Sequence, residues 1–149
     1  VGPRQTGQYG MVVPRFVHAA LRNETIEVHG DGSQSRCFGH VADVIEGLTK
    51  LIETPACFGT VVNLGNSEEV SILGLAQRAI DLTGSTSEVK FISYDEAYGA
   101  GFEDMQRRVP NLEKAERLIG YQPTRTLDNI INDVAAEYRN DSANSVANA

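Results

Sequence analysis

An α/β fold is predicted for this chain, on three observations. Short runs with strand character alternate with longer segments whose apolar residues recur at helical spacing. Glycine or a small polar capping residue stands at the ends of several of those segments. The 149 residues are 41% apolar, enough for the core of one ordinary domain.

Residues 1–9 read as loop. Residues 11–21 read as a helix: Pro14 is tolerable in a first turn, and Phe16, Val17, Ala20 and Leu21 share a face. Residues 26–29 alternate as a strand, and 36–40 are a candidate second strand. A helix is expected over 43–53, with Val44, Leu48, Leu51 and Ile52 at helical spacing, and a buried strand over 60–64 after Gly59. Ser71 is an N-cap for a helix over 72–83 whose inner stripe is Leu75, Ala76, Ala79, Ile80 and Leu82, with Gly84 closing it. A strand follows at 89–92, then a long glycine-rich loop over 94–109, and loops of that length are usually functional or disordered. Asn111 caps a helix over 112–119 that Gly120 ends, and Thr126 caps a last helix through 138. The small, polar residues 140–149 are expected to be a disordered tail, leaving 1–139 as the folded part. Four short strands make a marginal sheet, so some are expected at the edge of a larger one.

Composition narrows the function. A formal charge of -7 opposes a nucleic-acid partner, because phosphate backbones need a basic face. It leaves room for one local basic pocket. No apolar run approaches the roughly 18 residues of a membrane span, and no signal peptide is visible. The chain starts at Val1 without an initiator Met and is expected to begin inside something longer. Cys37 and Cys57 are expected to be thiols of a cytoplasmic protein rather than a disulfide. His18, His29 and His40 lack metal-ligand spacing.

Three groups of residues point to an anionic, ring-containing ligand. Gly30-Asp31-Gly32-Ser33-Gln34-Ser35-Arg36 follows the alternating run 26–29. If Val28 faces the core, His29 faces a ligand, where an imidazole can stack on a base and Glu27 backbone groups can bond its edge. The glycine turn lets the chain double back, and Arg36 can then grip a diphosphate bidentately. From the spacing alone, a surface hairpin with a solvated arginine is the plainer reading. Val12 opens a helix, whose free N–H groups and positive dipole end suit an anion. Asp104, Arg107 and Arg108 suit a ribose diol and a phosphate, and equally a solvated charged loop.

The parts needed for redox chemistry are missing. A dinucleotide fold needs strand, glycine-rich turn and helix in immediate succession. Gly7-Gln8-Tyr9-Gly10 follows no strand, and Gly99-Ala100-Gly101 opens no helix. No Tyr is followed by Lys four positions later.

The order Gly2-Pro3-Arg4-Gln5, Val12-Val13-Pro14-Arg15-Phe16, the segment from Ile26 to Arg36, Val41-Ala42-Asp43-Val44, Val62-Asn63-Leu64-Gly65 and Lys114-Ala115-Glu116 resembles the carboxy-terminal half of the extended short-chain dehydrogenases that act on nucleotide sugars. These include UDP-glucuronate decarboxylases, UDP-glucose 4-epimerases and dTDP-glucose 4,6-dehydratases. The resemblance runs from Val1 to about Tyr138 and implies a small substrate-binding domain plus late strands of an incomplete Rossmann-type sheet, with Arg36-Cys37-Phe38 and Val61-Val62-Asn63 as the returning segments. It implies that Val12, Glu27, His29, Arg36, Asp104, Arg107 and Arg108 contact a UDP- or dTDP-sugar. It also implies that NAD and the Tyr/Lys pair belong to an amino-terminal Rossmann half lying outside this chain. His29 stands where the family usually has Tyr or Phe. Cys37 and Phe38 replace the frequent Asp and aromatic pair, and the loop from Tyr94 to Phe102 is longer and richer in glycine than expected.

The chain is thus read as the nucleoside-diphosphate-sugar binding portion of an NAD-dependent epimerase, dehydratase or decarboxylase, with no cofactor of its own and inactive alone. A stand-alone, non-catalytic binding or interaction module with the same fold is the alternative. Monodispersity and cooperative melting without a partner would distinguish the second from the first.

Overall fold

The computed structural model describes residues 1–5, 7, 11–102 and 104–147, with 142–147 as backbone. The elements follow the order α1 (Val12–Leu21), β1 (Ile26–His29), β2 (Ser35–Cys37), α2 (Val41–Glu53), β3 (Glu69–Ser71), α3 (Ile72–Thr83), β4 (Val89–Ile92), α4 (Tyr94–Tyr98), α5 (Glu113–Ile119) and α6 (Leu127–Ala147). A single 3-10 turn, Pro55–Cys57, follows α2.

The core forms where α1, α3 and α6 pack on one another and on β1. Phe16, Val17 and Ala20 of α1 meet Leu75, Ala76 and Ala79 of α3, and Ile130, Ile131 and Val134 of α6 complete the layer. Small residues on α3 let the helices approach closely, and each fully buried Leu, Ile or Phe contributes roughly 1.5–3 kcal/mol of burial free energy. The outer end of the expected α3 stripe does not reach this core: Leu82 is exposed. Ser71 Oγ accepts from the Gly74 N–H, and Gly84 at φ +67 closes α3, both as expected. α6 begins at a capping box in which Thr126 Oγ1 accepts from the Asn129 N–H and Asn129 Oδ1 accepts from the Thr126 N–H. It continues past Tyr138 to Ala147, so the segment from 140 expected to be disordered is helical as far as Ala147.

The strands differ from expectation. They form two separate two-stranded sheets instead of one four-stranded sheet. β1 runs parallel to β4, with Ile26 opposite Val89, and β2 runs antiparallel to β3, with Arg36 opposite Val70. The turn at Gly30 and Gly32, both at φ +74, therefore carries the chain from one sheet to the other rather than back along β1. Gly30 is required twice over, since a Cβ there would lie 2.7 Å from the Tyr94 ring.

The run 60–64 is not a buried strand. Val61 is 86% exposed and pairs with no strand, and the three-residue β3 takes the place beside β2. The expected loop 94–109 starts with a helix, α4, capped by Ser93 accepting from the Glu96 N–H. In α2 the apolar stripe faces outward: Ile45, Leu48 and Ile52 are exposed, while Asp43 and Gly47 are buried. Gly47 is pressed against Tyr121 and Leu64 so closely that a Cβ would meet both within 3 Å.

Asp43 is the polar pin of this region. It accepts from the Arg125 backbone N–H, the Arg125 guanidinium and the Thr124 hydroxyl. Burial alone would raise its pKa, but these donors outweigh burial and hold the carboxyl below its ordinary value. His40, also buried, caps α2 by accepting from the Ala42 N–H at Nδ1. Its Nε2 lies 3.1 Å from Asp133 of α6, so it is a structural residue.

Candidate functional site

A cleft of about 610 Å³ opens where the start of α1, the ends of β1 and β2, α4 and the segment around Arg108 meet. Four buried side-chain polar atoms lack a partner among the described residues: Gln5 Oε1, Arg15 Nε, Gln34 Oε1 and Tyr94 OH. All four residues line this cleft. A buried polar group without a partner costs about 1–3 kcal/mol, so such a concentration marks a place built to receive polar atoms from elsewhere. Three arginines, Arg15, Arg36 and Arg108, also line it, so a basic pocket sits in a chain that is acidic as a whole.

Arg36 stands at the centre. Strand β2 holds it largely buried, with Nη1 donating to the Ser35 carbonyl and Nη2 donating to Asp104 Oδ2 at 2.6 Å. Tyr94 lies nearby. Burial and the Asp104 carboxylate push its phenol above the ordinary value, and Arg36 pulls the other way. Tyr94 is therefore a neutral donor beside a cation.

His29 leaves β1 on the face opposite the fully buried Val28, as alternation predicts. Its Nδ1 is 2.8 Å from the Tyr98 hydroxyl, and its Nε2 is 3.4 Å from Arg15 Nη1. Burial and then the Arg15 charge lower its pKa, against the weaker pull of Glu27. The Tyr98 ring stacks on Phe102 at 4.3 Å, and Tyr94 lies beside both. Planar apolar faces and a neutral imidazole thus gather at one mouth of the cleft.

Of the residues singled out from sequence, Val12, His29, Arg36, Asp104 and Arg108 line the cleft. Val12 does so from the first turn of α1, whose amides lack intrahelical acceptors. Glu27 and Arg107 are not among the lining residues. The Glu27 side chain is exposed, and its carbonyl accepts from Arg15 Nη2. Arg107 points the other way and grips Glu69 through Nε and Nη2. Consecutive residues of extended chain face opposite sides, so Arg108 enters the cleft where Arg107 leaves it. Sequence reasoning missed Gln34, Arg15, Tyr94 and Tyr98. The pattern Ser93-x-x-Glu96 was the available signal for α4, and thus for both tyrosines.

The glycine turn is not the strand–turn–helix of a dinucleotide site: β1 passes through Gly30 and Gly32 into β2, not into a helix. Among the described residues no group of three or more His, Cys, Asp or Glu could hold a metal, and no helix is long and apolar enough to cross a membrane. Cys37 and Cys57 are free thiols.

The described residues thus define an α/β protein with an arginine-lined cleft at the carboxyl end of a parallel strand pair. Residues 1–134 match the family model described as GDP-mannose 4,6 dehydratase. The chain is 35% identical over 123 residues to the UDP-N-acetyl-alpha-D-glucosaminuronate decarboxylase of Bacillus cytotoxicus, covering 82% of this chain and 38% of that one. It is 36% identical over 138 residues to UDP-glucuronic acid decarboxylase 1 of Xenopus tropicalis, covering 93% and 31% respectively. Its structure is similar to UDP-glucuronic acid 4-epimerase from Bacillus cereus, solved with UDP-glucuronic acid and NAD, at a TM-score of 0.81 and 25% identity over 94% of this chain and 42% of that one. The chain belongs to this family of nucleotide-sugar epimerases, dehydratases and decarboxylases within the extended short-chain dehydrogenases. It spans 38% and 31% of the length of these two curated relatives.

Proposed function

We propose that this chain supplies the nucleoside-diphosphate-sugar binding portion of an NAD-dependent nucleotide-sugar epimerase, dehydratase or decarboxylase. The observation that carries the reading is Arg36, largely buried at the centre of a cleft lined by every unpartnered buried polar side chain among the described residues. A diphosphate would take its charge-assisted bonds from Arg36, with Arg108 and the first amides of α1 at Val12 as further donors. The Tyr94 hydroxyl, neutral and unpartnered, is placed to add one more. Asp104 would hold Arg36 in the cleft before ligand arrives and offer its carboxylate to a ribose hydroxyl afterwards. Glu27 and Arg107 have no part in this reading.

The NAD-binding and catalytic half would lie outside the chain. The lengths of the relatives support this, and so does the surface. Ile45, Leu48, Ile52, Phe58 and Val61 form an exposed apolar face across α2 and the segment after it. An amino-terminal Rossmann half is the partner that face would meet, with the unpaired run at Val61 joining its sheet.

Titration calorimetry with UDP and dTDP tests the proposal. Binding in the micromolar to millimolar range is expected, and Arg36→Ala should remove it. Binding that Arg36→Ala leaves unchanged would overturn the site. Turnover of UDP-glucuronate by the purified chain would overturn the division of labour.

A further inference from the structure

Arg15, His29 and Tyr98 form a chain of hydrogen bonds whose direction is fixed by chemistry. A guanidinium has donors only, so the His29 Nε2 that faces Arg15 Nη1 at 3.4 Å must carry a lone pair. Neutral imidazole then carries its single proton on Nδ1. That N–H donates to the Tyr98 oxygen at 2.8 Å. Tyr98 is thereby the acceptor in the bond and keeps its own proton to give away. No other hydrogen bond to that hydroxyl occurs among the described residues, and the ring lines the cleft.

The ring itself is held. Tyr98 stacks on Phe102 with 27° between planes and meets His29 edge-on at 81°. The hydroxyl thus projects from a fixed aromatic array that offers flat faces to a planar ligand. Arg36 and Asp104 provide the charged part of the same cleft. Resting on the nucleotide-sugar reading, the aromatic mouth is where a base would sit.

We propose that Tyr98 is a specificity-determining residue of this cleft: oriented by His29 and Arg15, it presents a hydroxyl proton that selects a nucleobase carrying a ring carbonyl over one carrying an amine at that position. His29 and Arg15 are positioning residues, because they act through Tyr98. A uracil or thymine carbonyl accepts the proton. The exocyclic amine of cytosine meets a donor with another donor and leaves both unpaired, and mispairing of that kind discriminates strongly.

The test compares the chain with Tyr98→Phe by calorimetry against UDP, CDP and inorganic pyrophosphate. Tyr98 is about half exposed, so the variant keeps the fold. The wild-type chain is expected to prefer UDP to CDP. Tyr98→Phe should weaken UDP about tenfold, abolish the preference and leave pyrophosphate unchanged. His29→Phe, which keeps a ring but not the donor, should also lose the preference, because the freed hydroxyl can then offer either its proton or its lone pairs. Equal UDP affinity in wild type and Tyr98→Phe, with binding still dependent on Arg36, would overturn the assignment while the binding reading stands. Failure of the wild-type chain to bind UDP, or binding indifferent to Arg36→Ala, would overturn both.

Discussion

The Arg36 guanidinium donates to the Asp104 carboxylate at 2.6 Å across 68 positions of sequence. Arg36 comes from β2, and Asp104 from the loop beyond α4. The pair lies beside the backbone bridge between Ser35 and Arg107 that joins the same two segments, and it sits in the cleft where an anion would compete for the arginine.

Asp104→Asn separates the two roles of that carboxylate. Inorganic pyrophosphate has no ribose and gains from removal of a competing negative charge, so its affinity should rise about threefold. UDP should weaken about tenfold, because the bond to a ribose hydroxyl is lost. Titration of the variant with both ligands checks this, and parallel changes would mean that Asp104 acts only as a counter-charge.

Asp43 is a stability prediction independent of ligand. Asp43→Ala removes the one buried acceptor shared by the Thr124 hydroxyl and the Arg125 backbone and guanidinium N–H groups and should cost about 2 kcal/mol, less than a fully buried pair because Thr124 is exposed and Arg125 keeps Glu46. Urea denaturation measures it. A loss below about 1 kcal/mol would show that α2 is held by packing at Gly47 alone.

The same residue sets acid sensitivity. Its folded pKa is below the unfolded one, so its stabilisation is complete above the unfolded value and fades as pH falls through the folded value. His29 also has a lowered folded pKa, through burial and then Arg15. Below the ordinary histidine value the unfolded chain binds more protons, so the His29 contribution is full above about pH 6.5 and is lost as pH falls from there toward the folded value. Melting curves between pH 7.5 and about 5.5 should show a smaller drop in Tm for His29→Phe than for wild type. Identical drops would mean that His29 is not held neutral.

The outward face of α2 should make the isolated chain associate. Ile52 is 74% exposed and Phe58 65%. Patches of this kind bind hydrophobic dyes and promote self-association. The double substitution Ile52→Glu and Phe58→Ser should lower dye fluorescence and shift light scattering toward the monomer, without changing UDP affinity. A wild-type chain that is monomeric and silent to dye would favour a free-standing module.

Much of the scaffold is legible from local signals. Ser71 and Gly84 bound α3, Gly120 ends α5, and Thr126 opens α6, because caps and positive-φ glycines act within a few residues of themselves. The alternation at 26–29 correctly sends Val28 inward and His29 to the cleft. Resemblance of motifs pointed to the family, to which the chain belongs.

Other features depend on partners distant in the chain. Whether β2 pairs with β1 or β3 is invisible in three residues, since pairing is a property of two strands and a register. The run at 60–64 has strand composition but pairs with no strand among the described residues, so its propensity is unspent and Val61 stands exposed. Arg107 and Arg108 are alike in sequence, and only the direction of the extended chain past Glu69 sends one to an ion pair and the other into the cleft. By itself, then, the sequence determined most of the helices, the capped ends of α3, α5 and α6, and the family. The tertiary structure alone decided which charges meet, which way the apolar face of α2 points and where the Tyr98 hydroxyl aims its proton. Caps and periodicity are encoded over a few residues, whereas contacts such as Arg36–Asp104 and His29–Tyr98 exist only when segments nearly seventy residues apart are packed together.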